Sequence, residues 1–462
     1  MHKVALTIGG SDSSGGAGIQ ADLKSFVTAG VHGTSVITCV TSQNTVGVKS
    51  IYPLPVNEIE SQINAILSDF EVGAAKTGML YSPEVVKLVA KKMEGAKLIV
   101  DPVLSSTTGH SLSSTGLSDA IKKHLIPSCY LLVPNVPEAE KLCDIEIKSM
   151  DDARRACISL HEMGAENVLI KGGHIKGDAA DILFDGKKFY IFVLPKMDRK
   201  AHGSGCTFSA FLAAFLAGED GLVEAARKAK AYTWSAIAAG ISAGRGVDIV
   251  RQRADHIPVL NVIEGGHEAG SYKKHYEEQM EKARTWLSLQ NAVDELLSFL
   301  PPAFVPEVGI NFVYAMEGAS SYEEICGIEG RIGRKGKTGK IFQSGECRFG
   351  ASKHIASIVL ACMRHDGNMR SAMNIAYSDD VVKACDEAGL ESASFDRKDE
   401  PPGSSTMEWG TDHAITRLGH IPDIVWDEGG IGKEAMVRIL GRNPHEVVGK
   451  VRKIAYLFIH KI

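Results

Sequence analysis

Val4-Ala5-Leu6-Thr7-Ile8 is an unbroken apolar run that breaks into Gly9-Gly10-Ser11-Asp12-Ser13-Ser14-Gly15-Gly16-Ala17-Gly18, and a helical pattern begins at Ile19. Strand, glycine-rich loop and helix in that order open an α/β unit. The glycines follow neither G-x-G-x-x-G nor G-x-x-x-x-G-K-S/T, so neither standard nucleotide loop applies. A loop without side chains at this point lets the backbone approach a small ligand closely.

Outward from that unit, strand-like and helical runs alternate. Strands are expected at Ser35–Val40, Ala74–Thr77, Leu98–Val100, Tyr130–Val133 and Val168–Ile170, and helices at Val56–Leu67, Pro83–Lys92 and Asp151–Met163. Such alternation builds a parallel sheet flanked by helices. Ligands bind such sheets outside the carboxyl ends of the strands. Polar residues gather at those ends: Ser42-Gln43-Asn44, Lys76, Asp101, Asn135 with Glu138, and Lys171-Gly172-Gly173-His174. A single Asn or Asp there is a helix cap or turn residue. Recurrence strand after strand on one edge points to a site.

A second glycine stretch, Ala201-His202-Gly203-Ser204-Gly205-Cys206-Thr207-Phe208, runs into the apolar helix Ser209–Leu216. Two glycines one residue apart let the backbone turn its N–H groups toward one point, where the helix adds the positive end of its dipole. That is an anion hole, suited to a phosphate. Cys206 falls in the first turn, where the helix dipole and a bound anion act on its pKa in opposite directions. A glycine turn over a buried helix with an inert Cys has the same pattern.

With 462 residues the chain exceeds one ordinary core, which implies two domains or three. A hydrophobic content of 44% with 23% charged residues is that of a globular protein. The net charge of −5 supplies no broad basic field, which disfavours nucleic acid as a partner. Nine scattered cysteines without a C-x-x-C pair suit a reducing, cytoplasmic setting. The chain opens directly into a strand, so no signal peptide is expected, and no apolar run is long enough to span a bilayer.

In the second half the alternation lapses at Ile263-Glu264-Gly265-Gly266-His267-Glu268-Ala269-Gly270, and residues 263–274 are expected to form a linker between domains 1–262 and 275–462. Tyr272–Leu289 and Asn291–Leu300 read as helices stopped by Pro301-Pro302. A strand is expected at Ile310–Ala315, followed by Gly330-Arg331-Ile332-Gly333-Arg334-Lys335-Gly336-Lys337-Thr338-Gly339-Lys340. Five cations among four glycines form a flexible basic loop suited to a phosphate or diphosphate, or a solubilising surface loop. Ser352 is expected to cap a helix Ile355–Met363, with His354 in its first turn.

Several strings of the first half resemble hydroxymethylpyrimidine/phosphomethylpyrimidine kinases of the ribokinase-like fold: Gly15-Gly16-Ala17-Gly18-Ile19-Gln20-Ala21-Asp22, Gln43-Asn44-Thr45, Lys76-Thr77-Gly78-Met79, Pro134-Asn135 with Glu138, Lys171-Gly172-Gly173-His174 and His202-Gly203-Ser204-Gly205-Cys206-Thr207. The resemblance covers residues 1 to about 262 and implies two ATP-dependent phosphorylations, of a pyrimidine alcohol and then of its monophosphate. It places Gln43, Asp22, Gly10 and Ala17 around the aminopyrimidine and the transferring group in the anion hole of Gly203, Ser204, Gly205, Thr207 and Asn135. Asn135 and Glu138 would organise Mg²⁺ indirectly, Lys171 would neutralise charge, and Cys206 would serve the alcohol. Ser204 stands where the family usually has Thr.

The strings Arg348-Phe349-Gly350-Ala351-Ser352-Lys353-His354, Arg370-Ser371-Ala372-Met373-Asn374, Ser394-Phe395-Asp396-Arg397, Thr406-Met407-Glu408-Trp409-Gly410 and Asp427-Glu428-Gly429-Gly430-Ile431-Gly432-Lys433-Glu434 resemble a ThiN-type thiamine-phosphate synthase over about 275 to 462. This resemblance implies an α/β fold related to class II aldolases and condensation of the pyrimidine diphosphate with thiazole phosphate. Expelling pyrophosphate requires cations on the leaving group, a role expected for Arg331, Arg334 and His354. The implied partners are small-molecule substrates and further copies of the chain, without nucleic acid or membrane. A pyridoxal-type kinase, or a second domain that senses thiamine phosphate without chemistry, are the competing readings.

Overall fold

The computed structural model describes residues 3–104, 114–172, 179–197, 201–253, 257–258, 260, 262–265, 273–336, 339–401, 406–430 and 432–460. Two compact units make up the chain, Met1–Met280 and Glu281–Ile462. The described part of the expected linker is structured at both ends. Val262–Gly265 is a strand and Lys273 starts a helix to Leu297, so the two helices expected between residues 272 and 300 are one. Met280, on that helix, is buried in the core of the first unit, which explains a division beyond the expected linker.

The first unit contains β1 (Val4–Asp12), β2 (His32–Asn44), β3 (Gly47–Pro53), β4 (Ala74–Thr77), β5 (Leu98–Val100), β6 (Leu131–Leu132), β7 (Asn167–Ile170), β8 (Ala179–Phe184), β9 (Phe189–Leu194), β10 (Ala201–His202), β11 (Asp248–Ile249) and β12 (Val262–Gly265). Ten of them form one sheet in the order β12-β9-β8-β7-β6-β5-β4-β1-β2-β3, and β10 pairs with β11. Strands β2, β1, β4, β5, β6 and β7 run parallel, and both flanks turn antiparallel. Of these, β1, β4, β5, β6 and β7 are buried on both faces, whereas β2 has exposed residues such as Val40. The flanking strands β3, β8, β9 and β12 escape the sequence reading because short apolar runs next to glycine turns carry no distinctive period. The helix after the second glycine stretch spans Ser204–Ala217 and is buried from Thr207 onward.

The second unit contains β13 (Phe312–Ala315), β14 (Ile325–Ile328), β15 (Arg331–Arg334), β16 (Ile341–Ser344), β17 (Cys347–Phe349), β18 (Ser371–Ala376), β19 (Ser392–Ser394), β20 (Ile424–Asp427) and β21 (Met436–Gly441). Seven form a sheet in the order β17-β14-β13-β18-β21-β20-β19, antiparallel except for β19 beside β20. Helices Lys353–His365 and Thr406–Leu418 pack together, and the core joins residues of both to the sheet. The expected flexible basic loop is instead a hairpin: Arg331 pairs with Ser344 and Arg334 with Ile341. Alternating Ile332 and Phe342 with polar residues supplies the period of two that the glycines and cations obscured. Lys337 and Thr338, at its turn, lie outside the described residues.

Among the described residues no helix is long and apolar enough to cross a membrane. All nine cysteines are free.

Candidate active site

In the first unit the two glycine stretches meet backbone to backbone. Gly203 has φ +95°, and a Cβ there would stand 1.8 Å from the carbonyl oxygen of Gly16. Gly18, at φ +60°, would collide with the Gly10 carbonyl in the same way. Only glycine tolerates both the conformation and the approach. Asp12, at the end of β1, gathers the loop: its carboxylate accepts from the N–H groups of Ser14 and Ala17, each at 2.8 Å, and from the Ser14 hydroxyl. His202 Nε2 lies 3.1 Å from the same carboxylate. Burial alone would raise the Asp12 pKa, but the hydrogen bonds from His202, Ala17 and Ser14 outweigh it and bring it to about 2.

The expected pyrimidine-side residues come together. Gly10, Ala17, Asp22, Gln43 and Cys206 line one cavity with Lys76, Met79 and Val103. Beneath it Lys76 Nζ donates to Asp22 Oδ2 at 3.0 Å with both side chains buried, and Thr7 donates to the same oxygen at 2.6 Å. Asp22 Oδ1 is buried and accepts no hydrogen bond from the described residues. Burial raises the pKa of Asp22 against the pull of Lys76 and Thr7. Lys76 keeps its proton: burial opposes its charge, but Asp22, the Cys206 sulfur and Asp101 raise its pKa.

Gln43 hangs over this floor, with its amide 2.7 Å from His202 Nε2. An ionised Asp12 calls for a proton on His202 Nε2. The Gln43 oxygen then faces His202, and its NH₂ faces the Thr41 hydroxyl, which itself donates to the Ser11 carbonyl. The unused donor and acceptor positions of the amide remain for a ligand.

The anion side assembles at the start of the helix Ser204–Ala217, where no side chain caps Gly203. A Cβ at Gly205 would lie 3.7 Å from Lys171 Nζ, which puts that ammonium beside the first turn. Lys171 donates to Asp101 Oδ1 at 3.0 Å, and Ser209 donates to the other oxygen of Asp101 at 3.0 Å. Burial opposes the charge of Lys171, yet Asp101 and Glu138 raise its pKa.

Asn135 and Glu138 form a capping box, each side chain accepting the other's backbone N–H at 2.9 Å. Burial lifts the Glu138 pKa to about 7, with Lys171 lowering it and Asp101 raising it. The Asn135 N–H thus takes up one oxygen of the Glu138 carboxylate. Burial also pushes the Cys206 thiol up to about 11, against the pull of Lys76. It therefore stays a neutral thiol near pH 7. Gly173 and His174 lie outside the described residues.

Sequence reasoning named Asp101 as a strand end and Lys76 as a strand end within a family string, and gave neither of them, nor Asp12 or His202, a role. The signal for the first two was their place on the shared edge. For His202 it was its position just before Gly203.

In the second unit the expected trio is not joined by contacts. Arg331 donates to the Val308 carbonyl and Arg334 to the Pro302 carbonyl at 3.0 Å, so both guanidinium groups tie the hairpin down. His354 is exposed in the first turn of the helix Lys353–His365. Ser352 occupies the N-cap position in a left-handed conformation, φ +55°, without capping. Its hydroxyl goes instead to Asn311 Oδ1 and the Ile328 carbonyl.

The family model described as phosphomethylpyrimidine kinase matches residues 12–251, and that described as thiamine-phosphate synthase ThiN matches residues 288–453. The chain is 32% identical over 458 residues to the bifunctional thiamine biosynthesis protein ThiDN of Methanocaldococcus jannaschii, covering 98% of this chain and 99% of that one. It is 44% identical over 250 residues to the hydroxymethylpyrimidine/phosphomethylpyrimidine kinase of Bacillus subtilis, covering 52% of this chain and 92% of that one. Among solved structures, the pyridoxal kinase from Staphylococcus aureus in complex with AMP-PCP and pyridoxal superimposes with a TM-score of 0.53 at 32% identity, covering 57% of this chain and all of that one.

Proposed function

The chain belongs to the family of bifunctional thiamine-biosynthesis proteins that join a phosphomethylpyrimidine kinase to a ThiN-type synthase, and we propose that it carries out three consecutive reactions. ATP phosphorylates the aminopyrimidine alcohol, then its monophosphate, and the diphosphate condenses with thiazole phosphate to give thiamine phosphate and pyrophosphate.

One observation carries the kinase reading. Gln43, Asp22 and Cys206 line one cavity, and Cys206 belongs to the same helix turn that faces Lys171. A pyrimidine held by Gln43 and Asp22 would put its hydroxymethyl group at Cys206. Its oxygen attacks the γ-phosphorus, the bond to the β-phosphate oxygen breaks and ADP leaves. Backbone N–H groups from Ser204 to Cys206 and the Lys171 ammonium would stabilise the charge on the transferring group, whereas the Thr207 N–H, expected there too, donates to the Gly203 carbonyl at 2.9 Å. Asn135 and Glu138 would hold Mg²⁺, which would supply neutralisation of the phosphate charge.

A thiol with a pKa of about 11 is no base at pH 7, so Cys206 would orient the alcohol rather than deprotonate it. A loose transition state needs little deprotonation of the attacking oxygen, and the proton can pass to the new phosphate. In the second step the attacker is already an anion.

In the second unit the proposed roles of Arg331, Arg334 and His354 in expelling pyrophosphate require the two arginines to exchange carbonyl partners for a ligand. The kinship of this unit with class II aldolases is part of the same reading, as are a cytoplasmic location and action without nucleic acid or membrane. A homo-oligomer is supported by exposed apolar side chains at the sheet edge, where Val40 and Tyr52 are cross-strand neighbours. Following ³¹P resonances while the purified chain is fed pyrimidine alcohol, ATP and Mg²⁺ tests the kinase: monophosphate followed by diphosphate is expected, and only ADP and inorganic phosphate would refute it.

A further inference from the structure

The second unit buries one carboxylate between two guanidinium groups. Asp427 closes β20, Arg438 sits on β21 opposite Val425, and Arg397 follows β19, so three adjacent strands deliver the three groups to one end of the sheet. Arg397 Nε lies 2.5 Å from Asp427 Oδ1, and Arg438 Nη2 lies 2.6 Å from Asp427 Oδ2. Arg438 and Asp427 are each 1% exposed and Arg397 is 11% exposed. Asp427 also accepts the Gly429 N–H at 2.8 Å.

The charges do not cancel. Two cations share one anion, and nearby carboxylates are engaged elsewhere or exposed: Glu434 accepts the N–H groups of Glu307 and Val308, Asp396 accepts that of Lys398, and Glu428 faces solvent. An uncompensated buried cation is costly, and replacing it with an apolar residue would relieve the cost if the group served packing alone. Hydrogen bonding is incomplete too. Arg438 Nε is buried without a partner, and Arg397 Nη1 donates to no described residue. Arg397 is the member with access to solvent, and its other bonds, to Asp427 and the Glu434 carbonyl, fix its plane.

We infer that Arg397, held by Asp427 and backed by Arg438, is a phosphate-binding group of the second unit, taking the phosphoryl oxygens of a phosphate ester or diphosphate. Arg438 touches no ligand in this arrangement. It is a positioning residue whose surplus charge makes the site electropositive. The inference rests on the synthase reading only for the identity of the ligand, since any phosphoanion satisfies the charge. Unlike Arg331 and Arg334, which must give up carbonyl partners, Arg397 offers a free pair of donors in a fixed plane.

The test titrates inorganic pyrophosphate, and separately thiazole phosphate, into the full chain by calorimetry, comparing wild type with Arg397→Gln, Arg397→Lys and Arg442→Gln. Arg442 is exposed beyond the opposite end of β21. Arg397→Gln is expected to weaken at least one ligand by about tenfold or more, Arg397→Lys to recover part of it, and Arg442→Gln to change neither. The ligand that loses affinity identifies the source of the phosphate. Near-ultraviolet circular dichroism of each variant reports folding, and Arg438→Met, which removes the surplus charge without touching ligand, provides a second arm with the same expected loss. Wild-type affinity of Arg397→Gln for both ligands would overturn the inference. If wild type binds pyrophosphate and Arg397→Gln does not, yet no thiamine phosphate forms, the site stands and the synthase reading falls.

Discussion

Lys171 Nζ lies 3.0 Å from Asp101 Oδ1, so the cation beside the first turn of the helix Ser204–Ala217 is held by a carboxylate at the end of β5, two strands away from β7 in the sheet. The second oxygen of Asp101 takes the Ser209 hydroxyl from the helix that carries Cys206, which locks strand end and helix start together. Lys171→Met should lower kcat for both phosphorylations by on the order of a hundredfold or more, with a small change in pyrimidine affinity, because the charge is needed as the phosphoryl group transfers. Steady-state kinetics with alcohol and with monophosphate check this. A change confined to KM would move Lys171 out of the transition state.

Cys206→Ala should slow phosphorylation of the alcohol more than that of the monophosphate, since only the alcohol needs orienting for attack. The neutral thiol also predicts slow reaction with iodoacetamide near pH 7, accelerating as pH rises toward about 11. Rapid alkylation at pH 7 would show a thiolate and contradict an orienting role for a neutral thiol.

Gln43→Ala removes an amide that His202 and Thr41 hold in place and should raise the dissociation constant for the pyrimidine alcohol by about tenfold to a hundredfold. Calorimetry with the alcohol alone measures it. Unchanged binding would place the ring elsewhere.

Asp12 adds a pH dependence to stability. Its folded pKa of about 2 lies below the ordinary 3.8, so its contribution is present above pH 3.8 and is lost as pH falls through about 2. With partial solvent access this amounts to roughly 1 to 2 kcal/mol. Asp12→Asn should lower the urea midpoint at pH 7 and flatten its decline between pH 4 and 2. An equal decline in both proteins would mean that the carboxylate does not hold the loop.

The parallel core was legible because buried parallel strands leave short, mostly apolar runs: Leu98–Val100 has the expected bounds, as does Ala74–Thr77, whose Lys76 and Thr77 end the strand. Gln43, Asp22 and Cys206 were readable from the motifs that carry the family resemblance, and they share a cavity. What escaped was pairing. Which carboxylate holds Lys171 depends on the order of strands, and a buried arginine pair such as Arg397 and Arg438 looks in sequence like any two surface cations. The hairpin at Arg331–Ser344 was hidden by glycines that suggested a loop, although its apolar alternation was present.

The central claim is that one chain turns a pyrimidine alcohol into thiamine phosphate. The most direct measurement supplies the purified full chain with pyrimidine alcohol, thiazole phosphate, ATP and Mg²⁺, with pyridoxal in a parallel reaction, and counts ADP against thiamine phosphate by chromatography. The account predicts two ADP for each thiamine phosphate and little turnover of pyridoxal. Preferential phosphorylation of pyridoxal, or ADP accumulating with no thiamine phosphate even when pyrimidine diphosphate is added, would contradict it.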